Sequence, residues 1–301
     1  MKKVSLLLIL IASIGFLSAQ TDTTKNWTVK NNLSINFAQS YFSNWSAGGE
    51  NTVAMVGKYT VNADYVKGNN KWSNWLTLAL GYSYIGDNKP MKTDDKIEFI
   101  SAYGHNLSEH WYATVVLTFK SQFAKGYDYK VDSTTIISKF LAPATIDIGP
   151  GIEYAPNEHF YANFSPVTAR WTIVNDQRLA DLGSFGLDPA TVNDQGDTTH
   201  AKKVKTMFGG KLLMGYKRDI FENVNFGTKL ELFSDYLNNP QNIDVNWQVA
   251  IVLKVNSWLN VNITSELIYD NDVIFKNDAG LPIGPRTQFN ENMMLGIGLN
   301  F

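Results

Sequence analysis

From Val53 to Tyr65 every second residue is apolar, glycine aside: Val53, Met55, Gly57, Tyr59, Val61, Ala63 and Tyr65, with Thr52, Lys58, Thr60, Asn62 and Asp64 between them. A two-residue period is the signature of a strand with two unlike faces. The same pattern returns in Trp72, Leu76, Leu78, Leu80, Tyr82 and Tyr84; in Trp111, Ala113, Val115, Leu117 and Phe119; and in Val224, Phe226, Leu230, Leu232 and Tyr236. It closes the chain in rows 245–255, 259–269 and 289–301, while weaker rows lie at 33–37, 97–103, 146–154, 160–164 and 208–216. These make twelve candidate strands. Most can be drawn at or beyond the ~9–11 residues that a tilted strand needs to cross a bilayer, roughly twice the usual strand length in globular proteins. A soluble sandwich or lipocalin-like barrel also alternates, but its strands are shorter. The expected fold is all-β: a transmembrane antiparallel up-and-down barrel of twelve strands.

The connections give a second test, because outer-membrane barrels pair short periplasmic turns with longer outer loops. Short links at 66–70, 107–110, 156–159, 218–223 and 256–258 alternate with longer ones at 41–51, 85–93, 124–143, 174–202, 237–244 and 271–286. An even strand count with this alternation puts both termini in the periplasm. Aromatic residues are 13% of the chain, and they gather at strand ends. Tyr65, Trp72, Trp111 and Phe226 fall at one end of the apolar rows, and Tyr84, Phe123, Tyr236, Trp247, Tyr269 and Phe289 at the other. Two such girdles fit the two faces of a membrane. Hydrocarbon cannot satisfy an open sheet edge, so the strands must close. The final apolar row ends on Phe301, an aromatic terminus of the kind read by the barrel-assembly machinery, which with outer-membrane lipid is an expected partner.

Lys2 and Lys3 followed by the apolar run 4–17 and the small residues Ser18 and Ala19 read as a signal peptide at 1–19, leaving 20–301 as the barrel. The apolar run is short of the roughly twenty residues of a spanning helix. Loss of the two lysines takes the formal charge from -2 to -4, too mild to imply a nucleic-acid partner. The chain has no cysteine, so an oxidising compartment gives it no disulfide support.

Four segments carry a resemblance to a known family: Asn44-Trp45-Ser46-Ala47-Gly48-Gly49-Glu50-Asn51, Lys92-Thr93-Asp94-Asp95-Lys96, Ile173-Val174-Asn175-Asp176-Gln177-Arg178-Leu179-Ala180, and Asn239-Pro240-Gln241-Asn242-Ile243-Asp244-Val245-Asn246-Trp247. Together they make nearly the whole mature chain resemble domain of unknown function 3078. That resemblance implies an exported envelope protein of the Bacteroidota at the cell outer membrane. It implies no reaction, ligand or catalytic residue. All four segments sit in or beside expected outer loops.

Side chains suited to chemistry are scattered. A barrel hydrolase needs a serine and a histidine within hydrogen-bond reach at the outer edge, yet His105, His110 and His159 fall at the opposite end and only His200 lies in an outer loop. Asp270, Asp272 and Asp244 offer oxygens to a calcium ion, but without the ordered ligand series of a calcium loop they read as solvated carboxylates. Gly48-Gly49 and Gly296-x-Gly298 precede no helix and are not phosphate cradles. No cofactor and no enzymatic activity is expected.

The parity opposite the apolar rows is more informative. Lys58, Lys96, Glu98, Lys120, Lys229, Glu231, Asp235, Lys254 and Glu266 all occupy it, along with the apolar Val56, Ile100, Val116, Phe233, Val252 and Ile268. The expected lumen thus carries both charges and is narrowed by Phe233 and its like. Twelve strands also enclose less space than the 16–18 of general porins. The expectation is a non-enzymatic narrow pore for small or amphipathic solutes, with a plugged barrel that binds a partner through its loops as the alternative.

Overall fold

A computed structural model describes residues 26–43, 46, 49–129, 132, 134–277 and 281–300. The expected signal peptide and Phe301 lie outside the described residues. Among those residues, twelve antiparallel strands close into one barrel. In chain order they are β1 (Trp27–Ser40), β2 (Thr52–Lys67), β3 (Asn70–Ile85), β4 (Met91–Ser108), β5 (Trp111–Ser121), β6 (Ala144–Asn157), β7 (Phe160–Ile173), β8 (Val204–Phe221), β9 (Val224–Asp235), β10 (Asp244–Lys254), β11 (Leu259–Tyr269) and β12 (Gln288–Asn300). Each strand pairs with its sequence neighbours, and β12 returns to β1 from Asn32↔Asn300 to Phe37↔Leu295. No edge is left to template association.

Strands run from 11 to 18 residues, so the weaker rows are full strands as well. Links 68–69, 109–110, 158–159, 222–223 and 255–258 form one end of the barrel, and 41–51, 86–90, 122–143, 174–203, 236–243 and 270–287 the other. These are called the turn end and the loop end below.

The apolar rows face outward. Met55, Leu80, Val115, Ile152, Phe208, Trp247, Met293 and Ile297 are exposed on the outer wall, whereas Val56, Ala79, Ile100, Val116 and Leu213 are buried inside. At the turn end the outward rings touch: Trp27 lies 5.2 Å from Tyr65 and 5.8 Å from Trp72, and Trp111 lies 4.8 Å from Tyr154. Indole N–H groups on this wall find hydroxyls on the next strand, Trp72 donating to Ser101 and Trp247 to Thr228, each at 2.8 Å. A ring can then lie in an apolar belt without an orphaned donor.

The alternation breaks at one place that matters. Between β7 and β8 the register steps from Lys211↔Ser165 to Gly209↔Thr168, leaving Pro166 and Val167 as the irregular pair. Proline has no N–H to give a ladder and suits such a bulge. Opposite it, a Cβ on Gly149 of β6 would meet Thr168 Oγ1 at 2.6 Å, so only glycine fits. The bulge shifts the inward parity of β7 from Asn163 and Ser165 to Thr168 and Arg170, all of them buried.

The long loops carry structure that no periodicity announced. Short hairpins pair Gly126–Tyr127 with Ile136–Ser138 and Thr191–Val192 with Thr198–Thr199. Helix α1 (Gln177–Asp181) starts at Asp176, whose side chain accepts from the Leu179 N–H, a standard N-cap. Ala142, Val174, Leu179, Ala180 and Leu187 form a small apolar core of the loops' own.

Candidate functional site

Because strand residues alternate, one side chain in two points into the lumen, and the closed ring brings those side chains face to face. Lys229 of β9 reaches Glu98 of β4 at 2.7 Å, and Lys120 of β5 reaches Glu231 of β9 at 2.9 Å. Lys96 of β4 meets Glu266 of β11 at 2.9 Å, and Lys71 of β3 pairs with Glu153 of β6. These pairs join strands far apart in the ring, so they span the bore rather than run along its wall.

The densest part lies beside β5 to β10. Arg170 donates from Nε to Asp147 Oδ1 at 2.8 Å and from Nη2 to Asp147 Oδ2 at 2.9 Å, with further bonds to Glu231 at 3.2 Å and Asp244 at 3.3 Å. Lys211 donates to Asp147 at 2.6 Å and to Thr118 Oγ1 at 3.1 Å. Lys120, Arg170, Lys211 and Lys229 therefore face Glu98, Asp147, Glu231 and Asp244, four cations against four anions. Desolvating so many charges is offset only when every lone pair finds a donor. Here one does not: Glu98 Oε1 is buried with no hydrogen-bond partner among the described residues, 3.9 Å from the Lys120 ammonium.

Toward the turn end the filling turns apolar. Ile100, Ala102, Val116 and Leu213 pack together, with Trp75 and Tyr161 against them. The Trp75 and Tyr161 rings stack across the bore at 6.1 Å. Past these layers, along the β1 to β4 and β9 to β12 walls, runs a cavity of about 980 Å³. It starts at turn residues Glu158 and His159 and at Asp219, and reaches Lys58, Asp94, Lys96, Glu98, Lys229 and Glu266.

Of the residues singled out by parity, Lys58, Lys96, Glu98, Lys229 and Glu266 line this cavity. Lys120 and Glu231 belong to the ionic cluster beside it. Three others play different parts. Phe233 does not narrow the open bore: it is buried beneath Arg170, whose guanidinium carbon sits 3.8 Å from the ring centre. Asp235, at the end of β9, accepts from the Leu237 N–H and from Asn238. Lys254 sits at the turn-end rim, half exposed, with Asp219 at 3.9 Å.

Parity reasoning passed over Lys71, Asp147, Glu153, Arg170 and Lys211. Asp147, Glu153 and Lys211 were readable as charges opposite the weaker rows. Arg170 was hidden by the bulge, for which Pro166 was the available signal.

At the loop end, Asp272 pairs with Lys205 of β8 at 2.6 Å, and that lysine also donates to the Gly186 carbonyl at 2.9 Å. Burial and the neighbouring Asp272 carboxylate push the Asp270 carboxyl above its ordinary range. Among the described residues no group of three or more potential ligands is placed to hold a metal ion. His200 bonds Asp181 at 2.8 Å, and among the described residues no serine hydroxyl bonds it.

Residues 37–127 match the family model described as Protein of unknown function (DUF3078). The match takes in two of the four resembling segments, Asn44–Asn51 and Lys92–Lys96, and not the two near Asp176 and Asp244. No curated protein matches the sequence. The solved structures to which the chain is similar include outer-membrane proteins. An outer-membrane channel from Pseudomonas putida F1 is 9% identical with a TM-score of 0.42, covering 93% of this chain and 100% of its own. The translocator domain of the autotransporter NalP from Neisseria meningitidis is 8% identical with a TM-score of 0.34, covering 100% and 98%. The NanC porin is 9% identical with a TM-score of 0.35, covering 90% and 98%.

Proposed function

We propose that this protein is a non-enzymatic outer-membrane barrel that admits small polar solutes through a lumen narrowed by paired charges. The supporting observation is the cavity of about 980 Å³, which enters from the turn end and runs to Asp94 and Glu266 near the loop end. A lumen built only as a plug has no need of such a polar, water-sized path. The outward apolar belt and its two aromatic girdles support a bilayer location. In this reading the turns and both termini are periplasmic, the long loops face outside, and residues 1–19 are removed on export.

Charges of both signs along the path cancel over short distances, so selection between anions and cations is weak. Width, set by Trp75, Tyr161 and the bridges Lys229–Glu98 and Lys96–Glu266, sets the size limit. Proteoliposomes loaded with this barrel should admit glycine-sized and triose-sized solutes and exclude trisaccharides. Uptake indistinguishable from protein-free liposomes at every size would overturn the proposal.

A second reading has one specific observation behind it. The loop-end core around Leu179 and Val174 and the Lys139–Asp176 pair at 2.8 Å give the outer surface a defined shape, as a partner-binding barrel needs. Uptake that fails while loop 174–203 captures a partner would favour it.

A further inference from the structure

The cavity's loop-side half holds charges that the ion-pair network leaves over. Among the described residues Lys58 makes no ion pair and its ammonium donates no hydrogen bond; Asp94 likewise makes no ion pair, although both line the same space. The register explains why they do not meet. Lys58 of β2 is level with Ala79 of β3, and Ala79 with Lys96 of β4. Lys58 therefore faces β4 at the height of Lys96, between Asp94 on the loop side and Glu98 on the turn side. Lys96 is held by Glu266, and Glu98 Oε2 by Lys229. Among the described residues what remains is one ammonium and one carboxylate outside any ion pair and, below them, the buried Glu98 Oε1, which accepts no hydrogen bond.

A charge in a narrow bore is costly to leave unpaired. A bound anion would answer Lys58 and leave Asp94 repelled, and a bound cation would do the reverse. A solute with both charges answers the two at once and adds no net charge to a balanced wall. We propose that this half of the lumen binds a small zwitterion of amino-acid size, its carboxylate on Lys58 and its ammonium on Asp94, with Glu98 Oε1 as the further acceptor for a donor on the turn side. Ala79, small and inward between the two lysines, leaves the room that the solute fills.

This inference rests on the lumen being open to solutes, and not on their crossing it. The test is a calorimetric titration of the full-length mature barrel, refolded in detergent, with glycine. Acetate and methylammonium, its two halves, are titrated separately at the same ionic strength. Glycine should bind saturably, at least about tenfold tighter than either half, and both Lys58→Gln and Asp94→Asn should weaken it about tenfold, the scale of one charge-assisted hydrogen bond. Heat-modifiable migration on gels reports whether each variant has folded. If one has not, the ligand series on the unaltered protein decides alone. Acetate binding as tightly as glycine, binding unmoved by Asp94→Asn, or no saturable binding would each overturn the site. Liposome uptake without glycine binding would leave the pore standing and remove the site, and binding without uptake would do the opposite.

Discussion

The Lys229 ammonium meets Glu98 Oε2 at 2.7 Å across the lumen, joining β9 to β4 through the middle of the barrel rather than along its wall. Removing one member of such a pair leaves an uncompensated charge, which costs about 3–5 kcal/mol in a buried setting. Lys120 stays 3.9 Å from Glu98, which favours the lower end of that range for Lys229→Met. In a urea titration of the lipid-refolded barrel, the double variant Glu98→Gln with Lys229→Met should cost clearly less than the two single changes summed. Additive costs would mean that the pair does not act as a unit.

The outer wall makes a separate prediction. Leu230 and Ile251 lie in outward rows, with Leu230 opposite Trp247 and Ile251 opposite Phe226. Lysine at either should cost ~2–4 kcal/mol near the bilayer midplane. Asn246, of the inward parity, donates to Glu266 at 2.9 Å, and lysine there keeps a carboxylate partner and costs far less. Equal destabilisation by both classes would invert the assignment of faces.

Orientation is testable on whole cells. An epitope inserted at Asp194, in the long loop after β7, should be labelled without permeabilisation. One at Asn69, between β2 and β3, should need the outer membrane breached. Equal labelling, or the reverse pattern, contradicts the placement of the turns in the periplasm.

Acid should loosen the loop cap before the barrel. The Lys139 ammonium and the Leu179 N–H hold the Asp176 carboxyl below its usual range. Gln177, with the Ala201 N–H and His200, does the same for Asp181. A depressed carboxyl contributes stability that is present above its unfolded value and is lost as pH falls through the folded one. Protection of the Leu179 amide, corrected for intrinsic exchange, should therefore be flat near neutrality and fall below about pH 4. Asp176→Asn keeps an N-capping side chain but loses the Lys139 pair, so its protection should start lower and depend less on pH. Protection that rises on acidification would refute this link.

Strand number, closure and the inward or outward sense of nearly every residue were legible because a period of two survives wherever one wall is apolar and the other is not. Lys58, Lys96, Glu98, Lys229 and Glu266 could be placed in the lumen on that basis. Their partners could not. That Lys96 meets Glu266 and Glu98 meets Lys229 depends on stagger and on opposing strands, and alternation along one strand carries no such information. Arg170 was out of reach for a local reason, the bulge at Pro166 that reverses the pattern. Phe233 shows the other limit: its inward sense was readable, its place beneath a guanidinium was not. Helix α1 and the loop hairpins are short, held by caps and a few buried residues such as Leu179, and too brief to leave a period.

The claim that the lumen is a path is tested most directly by current through single barrels in a planar bilayer. The account predicts small steps, well below those of a general porin, with little preference between potassium and chloride. The steps should grow when Lys96→Ala and Glu266→Ala together remove a bridge that lines the cavity. Complete silence from barrels shown to be folded and inserted, before and after that change, or large porin-like steps from the unaltered protein, would contradict it.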